Sequence, residues 1–211
     1  DAANRIRGPV GTSVTLLLER PAKSGGASET FEVVLVRENI KIQTVSGKML
    51  EGDVGYVRLT SFNKESAADF KAKLNELDKL GMKRLILDLR SNPGGLLDSS
   101  VEIAGTLMKE GEVVSTIGRN GVKSISRSGG AKDRYETLVV LINEGSASAS
   151  EIVAGAIQDR GEGTLVGTKS FGKGSVQVIY PLSESPRTAV RLTIAKYYTP
   201  SVLVLSFLIF I

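Results

Sequence analysis

Apolar residues along this chain change their spacing many times, and each change predicts an element. Residues 13–18 and 30–36 alternate as two strands joined by the turn-rich stretch 21–28, with the end of a helix and the Gly8-Pro9 and Gly11-Thr12 turns ahead of them. Strand character follows at 40–45, then a short strand at 55–59. Over 62–81 the period lengthens to that of an amphipathic helix, with Phe70, Leu74, Leu77 and Leu80 along one face. Residues 85–89 form a continuous apolar strand interrupted only by Asp88, and Leu97, Val101, Ala104 and Met108 lie in helical register after it. A strand at 113–117, a polar, glycine-containing excursion over 119–135 and a strand at 138–142 lead to a helical pattern at 151–158. Apolar runs at 164–166 and 176–180 close the pattern. Nearly unbroken apolar strands alternating with helices predict an α/β core with parallel pairing. The loops that leave such strand ends are where a site is expected.

Composition narrows the chemistry. The 211 residues are 41% hydrophobic and 24% charged, an ordinary balance for a globular chain with room for one substantial core. The net charge of +4 is dispersed and aromatics make up only 5%, which argues against a nucleic-acid surface. There is no histidine and no cysteine. A Ser-His-Asp triad, a Cys-His pair and the common zinc sites are therefore excluded. Any nucleophile is Ser or Thr, and its base is Lys or a carboxylate.

Two side chains fit that restriction. Ser148 stands where the strand at 138–142 gives way to a helix, so its hydroxyl would sit near free helical N–H groups able to receive negative charge. Ser148-Ala149-Ser150-Glu151 also reads as a capping box that merely closes the helix, and the two roles are compatible. Lys173 lies between glycines in Ser170-Phe171-Gly172-Lys173-Gly174. In a partly dry pocket its pKa would fall from about 10.4 toward the range of about 7 to 8 that suits a general base, whereas in a solvated loop it would be an ordinary cation. Residues 167–173 also read G-x-x-x-x-G-K, but Gly174 replaces the Ser or Thr of a phosphate loop and a strand pattern replaces its helix, so no nucleotide partner is expected. Asn92-Pro93-Gly94-Gly95 leads into a helix as well. It is either an ordinary strand-to-helix turn or a source of backbone donors for an oxyanion.

Taken together, LDLRSNPGG, NEGSASASEIVAGAIQD, FGKGSVQ and TIAKYYTPS, in this order and spacing, resemble the carboxyl-terminal processing peptidases, or tail-specific proteases, from about Gly52 to Ser201. The opening residues, with RIRGPVGTSVTLLLER, resemble the closing portion of a PDZ domain. The resemblance implies a ClpP/crotonase-like α/β catalytic core over 39–201, preceded by the C-terminal part of a PDZ domain over 1–38. It implies Ser148 as nucleophile, Lys173 as base and Gln177 as the residue orienting the lysine amine. Backbone N–H groups of Gly94, Gly95 and Ala149 would receive the oxyanion, with Glu151 and Asp159 supporting the site. It further implies protein or peptide substrates with unfolded or apolar C-terminal ends, no cofactor or metal, an oligomer as one option, and the periplasm or cell envelope of a bacterium.

Two other functions remain open at this level: peptide docking by strand addition without cleavage, and a crotonase-like acyl-CoA enzyme. No signal peptide is read at the start of the chain. Residues 202–211, VLVLSFLIFI, are nearly all apolar and about half a membrane span long. They read as a buried strand, a membrane anchor or a non-native tail.

Overall fold

The computed structural model describes residues 2–22, 26–131, 135–182 and 188–201. The apolar segment 202–211 lies outside the described residues. The chain divides into two compact units, Asp1–Gln43 and Thr44–Ile211.

The first unit carries a short helix, α1 (Ala2–Ile6), and an antiparallel hairpin of β1 (Ser13–Arg20) and β2 (Glu29–Val36) in register from Ser13 opposite Val36 to Arg20 opposite Glu29. Arg37 ties it together: its guanidinium donates to the carbonyls of Ile6 and Ser13 at 2.7 and 2.9 Å and to Thr12 Oγ1 at 2.8 Å. A donor fork at the end of α1 satisfies carbonyls that the helix leaves unpaired. Leu17, Val34 and Val36 of the hairpin are exposed.

The strand expected at 40–45 forms only from its last residue. Ile40 and Ile42 are exposed and have no sheet neighbour, and β3 (Val45–Met49) begins where β4 (Val54–Leu59) becomes available to pair with it. From β4 onward the parallel arrangement holds: β4, β5 (Arg84–Asp88), β8 (Thr137–Ile142) and β9 (Thr164–Gly167) run parallel in a five-stranded sheet ordered β3-β4-β5-β8-β9. Helix α2 (Ser66–Lys79) packs on β3 and β4, α4 (Ala149–Asp159) packs on β9, and α3 (Leu97–Leu107) packs against both helices. Phe70, Leu74 and Leu77 of α2 and Ile152, Val153 and Ile157 of α4 are buried in one cluster with Val57, Leu87 and Val140 of the strands. Each such side chain contributes about 1.5–3 kcal/mol through area removed from water.

Helix α2 starts later than the amphipathic pattern, because Phe62 pairs instead with Gly95 in an isolated parallel bridge. The polar excursion contains a strand that its sequence conceals: β7 (Lys123–Ser128), whose central Ile125 is exposed, exists because the edge of β6 (Gly111–Gly118) offers it partners. With β10 (Ser175–Pro181) and β11 (Ala189–Tyr198) these strands build an antiparallel sheet ordered β10-β11-β6-β7. Parallel pairing brings the C-terminal ends of β5 and β8 to one edge of the core. The loops 89–96 and 143–148 therefore leave side by side.

Candidate active site

At that edge a knot of short-range polar contacts shapes the turn before α4. The Asn143 carboxamide oxygen accepts from the N–H groups of Ser91 and Gly145 at 2.7 and 3.1 Å, and Ser146 Oγ accepts from Asn143 N–H at 3.0 Å while donating to Leu89 O at 2.8 Å. The two loops are thereby held to one another and to the end of β5. Ser148, next along, adopts φ 56° and ψ −111°, a backbone state that a residue bearing a Cβ rarely occupies. Strain of this kind costs about 1–3 kcal/mol and persists where the surroundings over-determine it, as they do here. The sharp turn leaves Ser148 half-buried at the head of α4, between a buried Ala147 and a buried Ala149.

The glycine loop packs directly on this turn. A Cβ on Gly94 would lie 2.6 Å from Ala147 O and 2.9 Å from Ala149 N, and one on Gly95 would lie 2.0 Å from Phe62 O. Only glycine fits at either position. Ala149 N–H heads the helix and, with Gly95 N–H, has no acceptor among the described residues.

Glu151, the third residue of α4, joins the serine turn to the lysine loop. Its carboxylate is buried and accepts four hydrogen bonds: Oε2 from Ser148 N–H at 2.7 Å and Lys173 N–H at 2.9 Å, Oε1 from Ser170 Oγ at 2.7 Å and Gly172 N–H at 2.6 Å. The first contact is the glutamate half of the capping box. The other three, two from the backbone and one from the Ser170 hydroxyl, clamp the Ser170–Lys173 loop onto the same carboxylate, and Phe171 N–H adds a bond to Ser146 O at 3.0 Å. Ser148 and Lys173 are thus brought to one place through their main chains. Lys173 is half-buried, and its amine makes no hydrogen bond to the Ser148 hydroxyl. Such contacts are commonly loose before substrate binds.

Gln177 is placed differently from the expectation. It is exposed on β10 beside a register shift, and its amide donates to Thr193 of β11 at 3.4 Å, with no bond to Lys173. Asp159, at the far end of α4, accepts from the N–H and hydroxyl of Ser201 at 2.8 and 2.5 Å, fastening the residues after β11 to the helix.

Sequence reasoning noted Asp88 only as a break in an apolar run. It is fully buried at the end of β5, where Arg90 grips it with two side-chain nitrogens at 2.9 and 2.7 Å and the Tyr56 hydroxyl donates at 2.5 Å. Burial works to raise its carboxyl, but the Arg90 side chain, Tyr56 and Arg90 N–H outweigh it and hold the pKa at about 2. Burial and the same carboxylate raise the Tyr56 phenol. Asp88 thus anchors the start of the loop that carries Gly94 and Gly95, and a lone acid inside an apolar strand was the signal for it. A cleft of about 490 Å³ is lined by Lys71, Glu102, Gly105, Arg127 and Gly130 among others, and neither Ser148 nor Lys173 borders it.

Comparison with known proteins gives the arrangement its context. The family model for peptidase family S41 matches residues 53–203. The carboxy-terminal-processing protease of Bartonella bacilliformis is 44% identical over 209 residues, covering 95% of this chain and 46% of its own length. Carboxyl-terminal-processing peptidase 3, chloroplastic, of Arabidopsis thaliana is 41% identical over 210 residues, covering 95% of this chain and 40% of its own. Among solved structures, a photosystem II D1 C-terminal processing protease superposes with a TM-score of 0.69 at 31% identity, over 94% of this chain and 54% of that one. The chain spans about half the length of the curated relatives it matches.

Proposed function

Since this chain belongs to peptidase family S41, we propose that it carries the catalytic machinery of a serine endopeptidase that trims proteins near their C-termini through a Ser148/Lys173 dyad. The observation that carries the reading is the buried Glu151 carboxylate, which accepts hydrogen bonds from the main chain of both dyad members at 2.7 and 2.9 Å. A capping glutamate has no need of three further donors from a distant loop. A carboxylate that aligns a nucleophile with its base does.

In this reading Lys173, in its neutral form, takes the proton of the Ser148 hydroxyl as Oγ attacks the substrate carbonyl, and the same lysine returns that proton to the departing amine. Water then attacks the acyl-enzyme, giving its proton to Lys173, which passes it to Ser148 Oγ as the acyl group leaves. A backbone N–H of the Gly94-Gly95 loop and the Ala149 N–H receive the oxyanion, each donor lowering the barrier by about 3 kcal/mol. Closure of the Lys173 amine onto Ser148 accompanies substrate binding, and Gln177 leaves Thr193 to orient that amine. Asp159 keeps the far end of α4 in place.

The substrates on this reading are unfolded chains or apolar C-terminal tails, met in the periplasm or cell envelope of a bacterium, where the enzyme works alone or as an oligomer. Among the described residues no helix is long and apolar enough to cross a membrane. The hairpin of the first unit, with its exposed Leu17 and Val34, fits the closing part of a PDZ domain that would deliver such tails. The test is a timed digestion of an unfolded model protein, followed by mass spectrometry, with the wild-type chain, Ser148→Ala and Lys173→Ala. Cleavage by the wild type alone is expected. Equal cleavage by either folded variant would overturn the assignment.

A further inference from the structure

The two glycines of the Asn92-Pro93-Gly94-Gly95 loop do not offer equivalent N–H groups. Phe62 N–H donates to Gly94 O at 3.0 Å. The peptide joining Gly94 to Gly95 is trans, so the Gly95 N–H points opposite to that carbonyl and is aimed away from Phe62. Gly94 N–H is already occupied: it donates to Asn92 Oδ1 at 2.9 Å. The other end of the same carboxamide donates from Nδ2 to Leu59 O at 2.9 Å, and the side chain is wholly buried. Freeing Gly94 N–H would strand Asn92 Oδ1 without a donor inside the protein, which makes the contact a strut and not a latch.

The main-chain carbonyl of Asn92 reaches the other half of the site. It accepts from Ala147 N–H at 3.0 Å and from Ser150 Oγ at 2.9 Å, one contact on either side of Ser148 and Ala149. A single residue therefore grips the end of β4, the glycine loop and both flanks of the nucleophile turn.

We propose that Asn92 is a positioning residue for transition-state binding: it takes Gly94 N–H out of the donor set and fixes Gly95 N–H and Ala149 N–H as the pair that receives the oxyanion. This rests on the Ser148 peptidase reading given above. Asn92 touches no reacting atom and acts through the two loops it spaces. Its loss should therefore act on kcat and leave KM nearly unchanged, because the donors it aligns engage the oxyanion and not the ground-state carbonyl.

The experiment uses the full chain labelled with ¹⁵N and a peptide boronic acid that forms a tetrahedral adduct with the Ser148 hydroxyl. In the wild type, adduct formation should move the Gly95 and Ala149 amide protons downfield and leave Gly94 where it was. A shift at Gly94 with none at Gly95 would overturn the proposal while sparing the peptidase reading. A wild type that forms no adduct by mass spectrometry would overturn both. Asn92→Ala should lower kcat on a peptide substrate about 100-fold with KM within a few-fold, in line with the loss of one oxyanion donor. Asn92→Asp keeps the acceptor for Gly94 N–H but loses the donor to Leu59 O, so its kcat should fall between those of the wild type and Asn92→Ala. Equal kcat in wild type and folded Asn92→Ala would refute the positioning role, and the wild-type amide shifts decide the donor assignment even if both variants fail to fold.

Discussion

Replacing Glu151 with glutamine isolates the contribution of the carboxylate that joins the two loops. The side chain keeps its size, but one oxygen becomes an NH2 that faces N–H donors. Placing that NH2 at the Oε2 position sets it against two backbone donors, Ser148 and Lys173, neither of which can reverse. At the Oε1 position it meets Gly172 N–H, which cannot reverse, and the Ser170 hydroxyl, which can turn and accept. The second orientation is the cheaper one. It orphans the Gly172 N–H and converts the remaining bonds from charge-assisted to neutral, for a total cost of about 3 kcal/mol. For a unit of this size that corresponds to a fall in Tm of roughly 6–12 °C. Calorimetry and the digestion assay, run on the same preparation below both melting temperatures, should show a lower Tm together with cleavage reduced beyond what the unfolded fraction explains. The excess loss reports Ser148 and Lys173 drifting apart. A Glu151→Gln chain with unchanged Tm would refute the hydrogen-bond reasoning, and one with reduced Tm but undiminished cleavage would refute the alignment role.

Asp88 should make stability depend on acid: its folded pKa of about 2 lies below the unfolded value near 3.9, so its contribution of roughly 2 kcal/mol is complete above that value and disappears as pH falls through about 2. Urea titrations between pH 5 and 2 should show that loss in the wild type and not in Asp88→Asn, and parallel slopes would count against it. Gly95→Ala should unfold or displace the loop, since the added methyl would stand 2.0 Å from a backbone oxygen, and a normal melting curve would contradict that packing. Leu74→Ala, at a fully buried position in the helix layer, should cost about 3 kcal/mol without altering the cleavage pattern. Gln177→Ala, which removes only an exposed 3.4 Å contact, should change Tm by less than about 2 °C while lowering kcat; an unaltered kcat would exclude a role in orienting Lys173.

Much of this molecule could be read without coordinates, for physical reasons that are local. The helices and the parallel strands announce themselves because apolar spacing reports which face of a segment meets the core, as with Phe70, Leu74 and Leu77 of α2. The absence of histidine and cysteine left Ser or Thr as the nucleophile, and Lys or a carboxylate as the base, for any acyl chemistry. Boundaries were poorer where pairing overrode pattern, as in β7, whose sequence holds a single apolar residue, and at 40–45, where two exposed isoleucines have no partner strand.

The tertiary structure decided how the site is held, because its bonds join residues that sequence keeps apart. Glu151 reads as a cap within its own helix, yet three of its four donors come from a loop 19 to 22 residues away. Asn92 reads as a turn residue, but its contacts reach back 33 positions to Leu59 and forward 58 to Ser150. Asp88 looks like a defect in a strand until Arg90 and Tyr56 close around it. Periodicity records which side of an element is buried. Which donor meets which acceptor depends on the packing of whole elements, and no local pattern encodes that.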